Sequence, residues 1–476
     1  MNRRVFLGAL AGACAAPANA RGDPPAPDAG GADFTLHIAP VEVEIAPHRK
    51  IKTTGYNGGF PGPVLRMTEG KPVTIDVYND TSIPELAHWH GLWIPPEVDG
   101  AMEEGTPMLP PHGHARYRFV PRPAGTRWYH SHIFAGQNLH RSAYTGQFGF
   151  LLIEGKDDPG RYDQEVLLAL HGWDPFLGSM RGGVEGDESS LEVGYRSYTV
   201  NSHAFGAGEP VRVKEGQRIL FRILNANATA FHRLALPGHR FTVVSLDGNL
   251  VPSPQAVSIL EMGSAERIDA VVEMNRPGVW ILGDTDQRTR EAGLGITIEY
   301  AGSSGAPQWE EPPNEIWDYT AFGRPDAVEH PAVEPDERVP LVFRAKWAGN
   351  RWVDHWTING KEYPKTDPIY VRTNRRYRLI FDNQSDDTHP VHLHRHSFEL
   401  VRVSGKPTAG VIKDVVAVEP RKQVEVQFVA DNPGLSLFHC HMQLHMDFGF
   451  MTLVKYEDDG APASGDMRGH AFAIRR

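Results

Sequence analysis

Cysteine is almost missing from this chain: there are two among 476 residues, Cys14 and Cys440. One of them falls in a leader, so no internal disulfide can staple the fold, and a buried core must hold it instead. Long apolar runs are missing too. Beyond the first 20 residues, no stretch approaches the roughly 20 apolar residues that a membrane-spanning helix needs, so no membrane span is expected. Positive charge is in deficit, with 48 Lys and Arg against 59 Asp and Glu and a net charge of −11. A chain of that sign repels phosphate backbones, which excludes nucleic acid as an expected partner. The 3.6-residue apolar period of amphipathic helices is also scarce, which argues against a helical fold.

The opening "MNRRVFLGALAGACAAPANA" has the layout of an export signal. Arg3 and Arg4 precede an apolar, alanine-rich run, and Ala18-Asn19-Ala20 supplies small residues for cleavage. The paired arginines point to the twin-arginine route and to a periplasmic or secreted protein cut after Ala20. Cys14 offers lipoprotein anchoring as the lesser alternative, weakened because Ala11 stands where a lipobox prefers leucine. Cleavage removes two arginines and no acid, taking the charge from −11 to −13. Cys440 is then a lone thiol in an oxidising compartment, where a thiol persists best if something else holds it.

One pattern occurs three times. "EGKPVTIDVYN" (69–79), "EGQRILFRILN" (215–225) and "TNRRYRLIFDN" (373–383) each pass from a turn through an alternating strand to an asparagine. A second element follows each copy about 50 to 60 residues later, near half the length of a sandwich domain. It reads "GTRWYHSH" (125–132), "GVWILGD" (278–284) and "GLSLFHCH" (434–441), so that His130, Gly283 and His439 stand in equivalent places. The intervening Val, Ile, Phe, Tyr and Thr, cut by Gly and Pro, predict short antiparallel strands. The expected fold is all-β: three consecutive Greek-key β-sandwiches at 33–155, 156–305 and 335–456. A Pro- and acid-rich linker covers 306–334, and a polar tail covers 457–476.

Four His-x-His pairs mark the chemistry: His88/His90, His130/His132, His392/His394 and His439/His441. In a strand, residues i and i+2 share a face about 6.5 to 7 Å apart, so each pair aims two imidazoles at one space. Two pairs belong to the first domain and two to the third. If those domains touch, eight imidazoles converge, and neutral nitrogen ligands in that number suit copper rather than calcium or magnesium. His112/His114 in "PPHGHARYRF" read as a turn entering a strand. His396 reads as a packing or supporting group, and His171, His203, His232, His239 and His355 as ordinary structural histidines.

"LSLFHCHMQLHMDFGF" (435–450) places the lone thiol between two of those histidines. With His439 and His441 on one face of the strand, the sulfur of Cys440 points to the other. There it can join His445 and His389 in a second site of two imidazoles and one thiolate, which describes a trigonal blue-copper centre. The axial position falls on Phe450, which cannot ligate, so a fairly high reduction potential follows. A structural zinc site is the competing reading, but zinc closes small folds with four ligands and has no use for eight further histidines.

The motifs "HWHG", "HSH", "HPVHLH" and "HCHMQLH" together resemble those of three-domain multicopper oxidases of the laccase type, over nearly the whole mature chain. The resemblance implies cupredoxin-like domains and four copper ions. His389, Cys440 and His445 would hold the type-1 ion, and His88 and His392 the type-2 ion. His90, His130, His132, His394, His439 and His441 would hold the type-3 pair. It also implies that Asp99 in "EVDG" helps to move protons. Asp447 is a second candidate of that kind, and Met446 stands where some bacterial members carry an acid. His445 would be the electron entry point.

The implied reaction takes single electrons from phenols or aromatic amines and reduces dioxygen to two waters. A metallo-oxidase acting on Cu(I), Mn(II) or Fe(II) is the second enzymatic reading. It is weakened for Cu(I) because the 11 methionines form no tract. A non-catalytic scaffold is the third, and no implied ligand is missing to favour it. Three repeats in one chain predict a monomer. The stretch 171–197, long and glycine-rich, reads as a loop reaching toward the rim of the type-1 site.

Overall fold

The computed structural model describes residues 31–155, 161–178, 180–181, 184–185, 192–327, 333–346 and 354–457. The export-signal reading, Cys14 included, and the tail from residue 458 lie outside the described residues.

Each repeat builds two sheets around a shared core. In the first, one sheet runs Arg49–Tyr56, Phe34–Ala46, Val73–Asn79, His114–Phe119, and the other Leu65–Thr68, Phe148–Glu154, Gly125–Ser131, Ala87–His90. Period-two alternation turns Leu36, Ile38, Ile75 and Val77 from one sheet toward Leu65, Trp89, Leu151 and Ile153 of the other. The middle repeat pairs a six-stranded with a five-stranded sheet. In the third, a five-stranded sheet carries Ile369–Val371, Met451–Tyr456, Ser436–Cys440, His389–Leu393 and Val415–Val418 in that order.

Two features differ from the expectation. Strand pairing is not wholly antiparallel, because each repeat contains two parallel pairs. Phe34–Ala46 lies parallel to Val73–Asn79, and Leu65–Thr68 to Phe148–Glu154, with counterparts in the other two repeats. The crossovers run between sheets, which short-range alternation does not reveal. The arms of 171–197 are not loop either. Gln164–Gly178 and Glu192–Val200 pair antiparallel as an extended hairpin.

The terminal asparagine of each repeat is a corner clamp. The amide of Asn79 donates to the carbonyls of Ile83, Leu109 and Pro110, that of Asn225 to Ala230 and Met262, and that of Asn383 to Asp387, Val418 and Glu419. All three are fully buried. The middle and third repeats share one continuous core, from Leu168 to Val454. The first joins them through a smaller cluster that includes Trp128, Phe148, Trp173, Leu224 and Val415. This packing closes the histidine-bearing sheet of the first repeat against that of the third.

Replacing Asn383 with alanine removes three hydrogen bonds from this corner, and chemical denaturation should show a loss of about 1–3 kcal/mol. Asn383 also accepts from the Ser385 hydroxyl beside His389, so its loss should alter the visible spectrum of the copper-loaded protein. Asn225→Ala should cost similar stability and leave that spectrum unchanged.

Candidate metal centre

Eight buried histidines meet between the first and third sandwiches. His88 on Ala87–His90 stands opposite His130 on Gly125–Ser131. His392 on His389–Leu393 stands opposite His439 on Ser436–Cys440. The pleat turns each i, i+2 pair inward. Rings from the two domains then stack, His88 on His394 at 4.1 Å and His90 on His392 at 3.8 Å between centroids. None of the eight is more than 6% exposed.

The hydrogen bonds fix which nitrogen faces inward. The Nδ1–H groups of His88, His130, His392 and His439 donate to the carbonyls of Asp99, Ser131, Asp414 and Cys440. His394 Nδ1 donates to the Asp99 carboxylate at 2.9 Å, and His441 Nδ1 to the Ser264 hydroxyl at 3.2 Å. Each ring therefore presents the lone pair of Nε2 to the interior. His90 is reversed: its Nε2 donates to Asp414 at 3.0 Å and its Nδ1 faces inward.

The inward nitrogens of His88, His90, His130, His392 and His441 have no partner although fully buried. Nε2 of His439 lies 3.0 Å from that of His394 and 3.5 Å from that of His132. Lone pairs facing one another at that range need a cation between them, and two nitrogens sharing a metal at about 2 Å each stand roughly 3 to 4 Å apart. Burial holds His90, His130, His132, His392, His394 and His441 well below the ordinary imidazole range and His439 at about 3, so the rings stay neutral and able to ligate. Three groupings within ligand range emerge: His88, His90 and His392; His90, His130 and His441; His132, His394 and His439. The donor set fits copper.

Cys440 turns to the opposite face of the same strand. Its Sγ lies 3.7 Å from Nδ1 of both His389 and His445, and those nitrogens are 3.1 Å apart. The outer Nε2–H groups donate to the Ser385 hydroxyl at 2.8 Å and to the Glu192 carboxylate at 3.3 Å. The Trp356 ring lies 4.1 Å from that of His445, and Phe450 packs its ring 4.8 Å from that of His389. Phe450 also accepts from the Cys440 amide through its carbonyl at 3.1 Å. Met451, one residue on, packs with Leu437 and Met446, away from the sulfur. Burial acts to lower His445, but the Glu192 carboxylate and the Cys440 sulfur overcome it and hold the ring at about 10. Such a site attracts a cation.

The edge of His445 does not reach solvent: its side chain is fully buried. Glu192, 14% exposed, covers it and faces a cleft of about 1350 Å³ between the second and third domains. Asp99 is fully buried, with Oδ2 2.9 Å from His394 Nδ1 and 3.1 Å from His88 Nδ1. Gly100 follows it at φ 96°, where a Cβ would collide with the Ala87 carbonyl, so only glycine lets the acid tuck beneath His88. Asp447 accepts from the amides of Ala135 and Gly136 and from Gln443, and burial pushes it up to about 7.

Several other described histidines have structural partners. His396 joins Tyr456 at 2.8 Å, His232 joins Asp284, His239 joins Tyr300 and His355 joins Glu362. His171 donates to the Ala226 carbonyl. His114 lies beside Asp76 on the surface, and His112 sits in the preceding turn at φ 55°. Glu192, Ser264, Ser385, Trp356, Glu104 and Asp414 were not foreseen. Glu104, 4% exposed, lies 3.4 Å from His394 Nδ1. For Asp414 a signal existed, since "VIKDVVAV" sets a charged pair inside an otherwise apolar run.

Comparison with known proteins agrees with this geometry. Family models described as multicopper oxidase match residues 334–460, 37–158 and 179–300. The chain is 32% identical over 446 residues to the multicopper oxidase MmcO of Mycobacterium tuberculosis, covering 85% of this chain and 83% of that protein. It is 25% identical to Laccase-1 of Thanatephorus cucumeris, covering 86% and 87%. In fold it is similar to Fet3p, described as a multicopper oxidase that functions in iron import, with a TM-score of 0.73, 20% identity and coverage of 89% and 90%. The chain belongs to the multicopper oxidase family. It is a copper-dependent oxidoreductase of three cupredoxin-like domains, and dioxygen is its electron acceptor.

Cys440→Ser should remove one copper of four and the visible blue absorption, leaving the histidine cluster loaded. Metal analysis beside an absorption spectrum checks both.

Proposed function

We propose that this protein is a laccase-type oxidase that takes single electrons from phenols and aromatic amines and reduces dioxygen to water. The observation that carries the reading is the division of one strand: Cys440 joins His389 and His445, while His439 and His441 join the histidine cluster. His389, Cys440 and His445 are assigned to the type-1 ion, with Phe450 axial and non-ligating, and His88 and His392 to the type-2 ion. His90, His130 and His441 are assigned to one ion of the type-3 pair, and His132, His394 and His439 to the other. Bound copper would supply the one-electron couples that connect reductant to dioxygen.

The polypeptide does the rest. Phe450 and Trp356 keep water from the Cys440 site, and without a thioether on the axial side the site favours the reduced ion, hence a high potential. His445 is the electron entry, reached through Glu192, which lines the cleft and can take a hydrogen bond from a phenol or an amine. Asp99 bonds one histidine from each outer domain, where it can hand protons to the cluster. Asp447 is the second candidate acid, and its bonds to residues 135 and 136 also fix the loop that follows His132. We further propose export by the twin-arginine route to the periplasm or beyond, and a monomer.

One observation favours a second reading. The described lining of the cleft carries nine carboxylates against three basic side chains, Glu192, Asp386 and Asp387 among the acids. Its field draws in cations, so Fe(II), Mn(II) or Cu(I) would also be attracted, and protonated amines more than phenolates.

Steady-state rates with a neutral phenol, a cationic aromatic amine and each metal ion should be compared on one fully loaded preparation. Sustained phenol oxidation supports the proposal, whereas metal-ion oxidation alone refutes it. Raising ionic strength should lower kcat/KM for the cationic donor and leave the neutral phenol unaffected. Glu192→Ala should lower kcat/KM about 10- to 100-fold with all four coppers kept. Asp99→Asn should lower kcat by about 10²-fold or more while reduction of the blue site by substrate stays fast.

A further inference from the structure

The second domain supplies no histidine to either site, yet it reaches the cluster through a buried ionic network. Arg267, fully buried, donates from Nη1 to Asp414 Oδ1 at 2.7 Å and from Nη2 to Asp414 Oδ2 at 2.6 Å. Its remaining donors are spent on the carbonyls of Thr126, Ala265 and Asp247, so its planar fork has one orientation. Asp247 grips the same stretch of the third domain by its main chain. It accepts from the Val415 amide at 3.1 Å and forms an ion pair with the Lys413 ammonium at 2.9 Å. Asp414 in turn accepts from His90 Nε2 at 3.0 Å, and its carbonyl accepts from His392 Nδ1 at 2.7 Å. Gly91, beside His90, leaves the room: a Cβ there would lie 2.7 Å from Asp414 Oδ2 and 2.9 Å from Arg267 Nη2.

We infer that Arg267 is a positioning residue that, through Asp414, selects the ring nitrogen His90 offers to its metal. A neutral imidazole has one N–H, so a carboxylate fixed at Nε2 takes the proton there and leaves the lone pair on Nδ1. His90 is the one ring among the eight for which the structure sets Nδ1 inward. It is also the ring whose outer partner is a carboxylate held bidentate by an arginine from another domain. The second domain therefore reads the register of the other two: Arg267 and Asp414 meet His90 only when all three are closed together. This rests on the copper reading of the eight histidines.

The test uses the copper-loaded protein with Arg267→Lys, which keeps the charge and loses the fork, and Asp414→Asn. In the second, Arg267 keeps the remaining oxygen. The amide then faces His90 Nε2 and forces the ring proton onto Nδ1. Both variants should lose one copper from the cluster and about 10- to 100-fold in turnover, with the blue absorption per chain unchanged. Asp269→Asn is the structural control. It breaks bonds to Thr126 of the first domain and Arg222 of the second without touching a histidine. It should lower stability and leave copper per folded chain intact.

Four coppers and wild-type turnover in both Arg267→Lys and Asp414→Asn overturn the inference. So does copper loss shared equally by the blue site and the cluster. Where a substitution prevents folding, a high-resolution structure of the loaded wild type decides: Nδ1 of His90 on the ion supports the inference, and Nε2 overturns it. A wild type that binds no copper would instead defeat the functional reading itself.

Discussion

A β-strand sends consecutive side chains to opposite faces, and at residues 439–441 that rule joins the two proposed metal sites. The strand Ser436–Cys440 is buried along its whole length and pinned between His389–Leu393 and Met451–Tyr456. It cannot slip by one residue without exchanging His439 and Cys440 between faces. Everything else serves that register. The cores on either side hold the strand, Phe450 closes the sulfur face, and the first domain brings His88, His90, His130 and His132 to the ring face. In the proposed function, an electron arriving at the Cys440 side would have a covalent route, one residue long in each direction, to the histidines of the cluster.

The histidines need help to remain ligands. Eight neutral rings with lone pairs inward form an unstable arrangement without a cation, and desolvation alone does not decide which nitrogen points where. Outer partners decide it: main-chain carbonyls for His88, His130, His392 and His439, Asp99 for His394, Ser264 for His441, and Asp414 for His90. Two of these partners, Asp99 and Asp414, cross between the first and third domains, and Ser264 comes from the second. Cluster geometry and domain closure are therefore one equilibrium, and metal binding is expected to stabilise the three-domain arrangement as a whole.

Much of this was legible in the sequence because period-two spacing fixes faces. The His-x-His pairs, the thiol between two of them and the glycine at 283 in place of a histidine needed no tertiary information. The asparagine ending each repeat was visible as a pattern, although its clamp role was not. What stayed hidden depends on contacts between residues far apart in the chain. Glu192 meets His445 across 253 positions, and Asp414 meets His90 across 324. The parallel strand pairs were hidden because crossovers leave no local signature. The stretch 171–197, read as loop from its glycines, contains hairpin arms because cross-strand pairing outweighs local propensity. The charged pair Lys413-Asp414 in an apolar run was a readable sign of a buried network, since ionised groups enter such positions only when paired.

The central claim is that one extended segment serves two separate metal sites. Anomalous diffraction at the copper edge from crystals of the loaded protein tests it most directly. Three neighbouring peaks among the eight rings and a fourth, isolated peak bounded by Cys440, His389 and His445 are the predicted result. A single peak shared by His439, Cys440 and His441, or no peaks among the paired rings, would contradict the account.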